Sequence, residues 1–213
     1  MIEKSEYLKK EILKSKAIFA AILFLLVGAN FSPIFAQNDK RIEEIRRTYQ
    51  ETNTKIAASK NDGESSEIYL SELVVNKNNG SYPAVGIYNS VVKFYYTFGN
   101  REQNPYPDRL IKVEITTNRS ARTENAEFLF NPAGQLIFYF ENKDDAEMRF
   151  YFSAEKPIRI LKGTQNVNLN DKTATEQIKN ILSEKRKLTG IFSNSLDSVD
   201  PNFNKYQQFA ENL

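Results

Sequence analysis

The chain has 213 residues, with Lys+Arg 29 against Asp+Glu 27, and it contains no His, Cys or Trp. Without His and Cys it has no Ser-His-Asp or Cys-His nucleophile pair, no ordinary zinc site, no disulfide staple and no cysteine for lipid attachment. Residues 1–36 hold five lysines and three glutamates, so residues 37–213 carry 24 charges of each sign with no sustained basic run, which argues against nucleic-acid binding.

The first feature is a lysine-bearing segment (Lys4, Lys9, Lys10, Lys14, Lys16) that runs into an apolar block from Ala17 to Ala29. Asn30, Ser32 and Pro33 break that block, and Ala36 precedes polar Gln37. This order matches a secretory signal: positive segment, apolar segment, small-residue cleavage site. The apolar block is 13 residues long, and a bilayer core of about 30 Å needs roughly 20 apolar residues in a helix. Cleavage is expected after Ala36, with a cut after Ala29 as the second choice and an uncleaved anchor as the alternative. The expected location is secreted or periplasmic. The expected domains are a signal peptide over 1–36, a single domain over 37–199, and a terminal segment over 200–213.

Beyond the signal, Ile42, Ile45, Tyr49 and Ile56 recur at helical spacing and predict a helix over Asp39–Ala58. Arg41, Arg46 and Arg47 interleave with Glu43 and Glu44, the pattern of a solvated helix face. A polar loop at 61–66 precedes a strand over Ile68–Val75. Further strands are expected over Ser90–Phe98 and Leu110–Thr117, separated by a loop with Pro105 and Pro107.

Ala126–Leu161 reads as aromatic strand–turn–strand units. Asn131-Pro132-Ala133-Gly134 has the chemistry of a type I turn closed by a left-handed glycine. Period-two pairing beyond that turn sets Phe130 opposite Leu136 and Phe128 opposite Phe138. Arg149–Phe152 and Ile158–Leu161 form a second unit around Pro157. A helix is predicted from Ala174 to Leu188 or beyond, with Thr173 and Glu176 as its capping box. Asp200-Pro201 is expected to start a short terminal helix carrying Phe203, Tyr206 and Phe209, with a disordered segment as the alternative.

Together these elements predict an α+β fold. An antiparallel meander of about six to seven strands is covered on one face by an N-terminal and a C-terminal amphipathic helix. The covered face is expected to carry Phe94, Tyr96, Phe98, Phe128, Phe130, Leu136, Phe138, Phe140, Phe150, Phe152, Ile158 and Ile160. The opposite, solvated face is expected to show Lys93, Lys112, Glu114 and Glu141 among Tyr95, Tyr139, Arg149, Tyr151 and Arg159. Those last five are the candidate binding residues, because Tyr and Arg are enriched where proteins hold partners.

No residue pattern marks a metal or cofactor site. Asp62, Glu64 and Glu67 do not complete a calcium loop, and Asp144, Asp145 and Glu147 form a hairpin tip. The expected function is a non-catalytic binding module for a protein, peptide or glycan, with membrane contact only through the signal segment. The alternatives are a hydrolase acting on glycans through carboxylates alone and a structural envelope protein.

Overall fold

The computed structural model describes residues 32–60, 67–98, 107–120, 122–144 and 146–199. The lysine-rich segment, the apolar block, residues 61–66 and 99–106, for which loops are expected, Ala121, Asp145 of the expected hairpin tip, and the segment after Val199 lie outside the described residues. The first helix, α1, spans Ser32–Ser59, so it begins ahead of the expected cut after Ala36. Pro33 stands in its first turn, where a missing N–H costs no helical hydrogen bond. No helix among the described residues is long and apolar enough to cross a membrane.

The chain divides into two compact units, Met1–Glu43 and Glu44–Leu213. The described part of the first is the opening of α1. The second holds the rest of α1 and an antiparallel sheet of nine strands. These are β1 (Tyr69–Val75), β2 (Ser81–Tyr82), β3 (Gly86–Phe98), β4 (Pro107–Arg119), β5 (Arg122–Phe130), β6 (Leu136–Lys143), β7 (Ala146–Ser153), β8 (Lys156–Lys162) and β9 (Gln165–Asn166). The final helix, α2, spans Lys172–Val199. The strand order is β1-β3-β4-β5-β6-β7-β8-β9, and β2 pairs with β3. Seven long strands thus match the expected meander, and two strands of two residues each add to it. The links between strands are too short for crossovers, so every pair is antiparallel.

Local chemistry explains the turns and caps. At the β5–β6 turn the Asn131 and Gly134 N–H groups bond the Gln135 and Asn131 carbonyls at 2.9 Å, and Gly134 sits at φ 70°. The Asn131 side chain also accepts the Ala133 N–H at 3.0 Å and the Gln135 N–H at 2.9 Å. This is the turn expected from Asn-Pro-Ala-Gly. The cap of α2 differs from expectation. Asp171 rather than Thr173 caps the helix, its Oδ1 accepting the N–H of Thr173 at 2.9 Å and of Ala174 at 3.1 Å. A carboxylate is favoured there because it meets two otherwise unpaired donors at the positive end of the helix.

The face assignment changes at one point. Phe130 lies opposite Leu136 as expected, but a bulge follows. Leu129 then pairs with Phe138, and Phe128 pairs with Tyr139. One extra residue on β6 rotates the rest of the strand by one face. The first face therefore carries Phe94, Phe128, Phe130, Leu136, Phe150, Phe152 and Ile160, with Tyr139 in the place foreseen for Phe138. Helix α2 covers this face through Ala174, Ile178, Ile181, Leu188 and Phe192. Phe192 stacks on Phe94 at 5.6 Å and meets Tyr96 at 5.3 Å. Each such aromatic is worth roughly 1.5–3 kcal/mol relative to exposure.

The second face is not solvated. It carries Tyr95, Lys112, Glu114, Glu127, Leu129, Phe138 and Tyr151 by register. The 44–59 part of α1 lies on it: Tyr49 meets Phe138 edge-on at 5.2 Å, and Ile56 packs with Ile68 and Tyr95. The two helices stand at the two ends of the sequence as expected, but each covers its own face of the sheet. With Leu129, Phe138 and Tyr151 on the second face, a single covered side would leave large apolar area in water.

Candidate functional site

Beneath α1 lies a buried ionic cluster. The Lys112 side chain is 2% exposed and donates to Glu114 at 2.7 Å, to Glu127 at 2.8 Å and to Asn53 of α1 at 2.7 Å. The Tyr49 hydroxyl donates to Glu127 at 2.8 Å, and Tyr95 donates to Glu114 at 3.0 Å. The Lys112 ammonium also lies 5.0 Å from the centre of the Tyr49 ring. Burial pulls the Lys112 pKa down, but bonds to Glu114 and Glu127 outweigh it and hold the pKa above the ordinary value. Burial likewise pushes Glu114 up, yet the Lys112 bond leaves it below the usual carboxylate range. Burial and then the Glu114 charge push Tyr95 well up, so it stays a neutral donor. Among the described residues no buried side-chain polar atom of this cluster lacks a hydrogen-bond partner, so its chemistry is that of a clamp between α1 and β4–β5.

Beside the clamp, between α1 and β6–β8, runs a groove of about 500 Å³. Ile45, Arg46, Tyr49 and Gln50 form its helical wall, and Phe138, Arg149, Tyr151 and Leu161 form its floor. Gly163 and Thr164, after β8, complete the rim. The Arg46 Nε reaches the Tyr151 hydroxyl in a long contact of 3.5 Å, with its guanidinium 5.8 Å from that ring's centre. Phe138 and Tyr151 lie 5.2 Å apart. Arg149 donates to Glu147 at 2.6 Å and to the Gly163 carbonyl at 3.1 Å, and lies 5.6 Å from the Phe140 ring centre. The groove thus joins an aromatic floor to two oriented guanidinium groups, the usual composition of a small-ligand site.

The five expected binding residues separate in space. Arg149 and Tyr151 line the groove, and Arg159 stands opposite Tyr151 in the β7–β8 register. Tyr95 is on the same face and as buried as Tyr151, each 3% exposed, but it packs in the cluster with Ile56 and Ile68 and does not line the groove. Tyr139 is on the other face, 4% exposed, with its hydroxyl donating to Glu141 at 2.8 Å. The sequence reading missed Arg46, Tyr49 and Phe138. Tyr49 interrupts the isoleucine stripe of α1 with a polar tip, and that was the available signal for it.

A second cavity, of about 410 Å³, opens on the first face beside α2. Ser90, Thr117, Glu124, Tyr139, Glu141 and Glu184 are among the residues lining it. Desolvation and, next, the Glu141 charge push the carboxyl of Glu184, an exposed residue of α2, above the usual glutamate range. Its folded pKa then exceeds its unfolded one, so stability falls as pH rises through the raised value. Glu184→Gln is therefore expected to melt higher than the parent protein at pH 7 and to match it near pH ~3, where both states are protonated. Thermal melts at the two pH values check this, and an equal melting temperature at pH 7 removes the effect.

No family model, curated protein or solved structure matches the chain.

Proposed function

We propose that this protein is an exported, non-catalytic binding module that holds its ligand in the groove between α1 and β6–β8. The observation that carries this reading is the groove's lining: Phe138, Tyr151 and Tyr49 beside the guanidinium groups of Arg46 and Arg149. Such a lining suits a ligand with a flat apolar body and an acidic group, since rings cover the body while Arg meets the anion. The proposed location rests on the order of residues 1–36, and the mature chain then starts at Gln37. Mass spectrometry of the exported protein checks the start, and a chain still beginning at Met1 overturns cleavage.

The groove is tested by titrating N-acetyl-phenylalanine, an aromatic carboxylate, into ¹⁵N-labelled protein. Saturable shifts are expected at the Gln50, Gly163 and Thr164 amides. The Arg149→Ala/Tyr151→Ala variant is expected to lose them while keeping its other signals. Saturable shifts that persist in that variant, or none at those amides, overturn the assignment.

A second reading, a carboxylate-only hydrolase, draws on the cavity of Glu124, Glu141 and Glu184. A carboxyl raised above the usual glutamate range and coupled to a second carboxylate, as Glu184 is to Glu141, is the kind of pairing that general acid catalysis of glycoside cleavage uses. Turnover of a chromogenic glycoside, abolished by Glu184→Gln, would move the function to this cavity.

A further inference from the structure

The two edges of the sheet are built differently. The β8–β9 edge carries Lys156, Pro157, Arg159 and Lys162, and β9 is only two residues long. Charges, proline and short strands are the usual means of keeping a sheet edge from pairing. The β1 edge has none of these beyond one carboxylate: Tyr69–Val75 is seven residues with no Lys or Pro. Its Glu72 is taken by Lys93 of the neighbouring strand at 3.8 Å, so the edge presents no net charge. Leu70, Leu73, Val74 and Val75 are all exposed along it. Tyr82, Val85 and Ile87, exposed at the adjoining β2–β3 corner, extend the same rim. Among the described residues, seven of the eight exposed large apolar side chains fall in this stretch.

We propose that β1 is the dimerisation edge of this protein and that its occupant is β1 of a second copy, paired antiparallel to make one continuous sheet. Head-to-tail assembly would set β1 against the charged, proline-bearing edge of β8–β9, which is poorly matched to it. A neutral strand meeting its own copy avoids that mismatch. Self-pairing also selects a register. A two-fold axis normal to the sheet keeps each face on its own side, so the axis must fall midway between one residue and its own copy. Centring on Glu72 sets two carboxylates opposite each other, which disfavours it. Centring on Leu73 sets Leu73 opposite Leu73, Ser71 opposite Val75 and Glu72 opposite Val74. This sets Leu73 against its own copy, keeps the two Glu72 carboxylates apart and leaves five of the seven residues, 71–75, in the ladder.

Sedimentation equilibrium of the purified protein is expected to give twice the protomer mass. Leu73→Lys is expected to weaken association roughly tenfold or more with unchanged circular dichroism, while Ile191→Lys, an exposed apolar site on α2, leaves it intact. Because the chain has no cysteine, Leu73→Cys supplies a single thiol. Residues facing each other across an antiparallel pair lie about 4.5–5.5 Å apart at Cα, within disulfide reach. Leu73→Cys is therefore expected to crosslink under diamide faster than Val85→Cys. A parent protein that stays monomeric to about 100 µM, association unaffected by Leu73→Lys, or equal crosslinking at the two positions overturns the proposal.

Discussion

Lys112→Ala is expected to destabilise the protein by about 3–5 kcal/mol, the cost of leaving buried charge without its partner. The reason is the company Lys112 keeps. Glu114 and Glu127 are direct cross-strand partners on β4 and β5, and Lys112 touches both, at 2.7 and 2.8 Å. Removing the ammonium leaves two carboxylates opposite each other beneath α1, where like charges directly opposed are destabilising. It also frees Asn53, the point at which α1 is tied to β4. Equilibrium urea unfolding measures the loss.

The Lys112→Met/Glu114→Gln/Glu127→Gln triple variant is expected to recover most of that loss, because all the charges leave together while the amides still accept from Tyr49 and Tyr95. A loss under about 1 kcal/mol for Lys112→Ala would mean that the cluster is not a clamp. Its pH dependence follows the same logic. Glu114 is held below the usual carboxylate range, so its contribution is present above the unfolded pKa and is lost as pH falls through the folded one. Lys112 is held above its ordinary value, so its contribution is full below the unfolded lysine pKa and is lost as pH rises through the folded one.

The second large effect separates two phenylalanines that plain alternation places together. Phe150→Ala is expected to cost about 3–5 kcal/mol, while Phe140→Ala is expected to cost about 1 kcal/mol. Phe150 is fully buried on the first face, against Tyr139 at 5.7 Å and opposite Ile160. Phe140 is half-buried on the second face, paired with Arg149. Denaturant unfolding of the two variants compares them directly, and equal losses would restore an unbroken register along β6 and remove the bulge.

That bulge marks where local reading ran out. Leu136-Ile137-Phe138-Tyr139-Phe140 is apolar at every position, so no alternation shows which face each residue takes. The turn at Asn131–Gly134 was legible because its chemistry is complete within a few residues, and the pair Phe130–Leu136 followed from it. The next pair did not follow, because the bulge answers to packing against β5 and β7 rather than to anything in β6 itself. The candidate site was legible to the same degree. Arg149 and Tyr151 alternate cleanly with Phe150, so their shared face could be read. Tyr139 was lost to the bulge, and Arg46 resembled any solvated helix arginine until β7 came beside it.

By itself, the sequence determined the strands and turns, the helices at both ends and the sharing of one side by Lys93, Tyr95, Lys112 and Glu114, because these depend on periods of two and 3.6 residues along the chain. The tertiary structure alone decided that this charged side would be covered. A lysine enters the interior only where partners for its charge converge, and here they come from β4, β5 and α1, which meet only once the chain has folded.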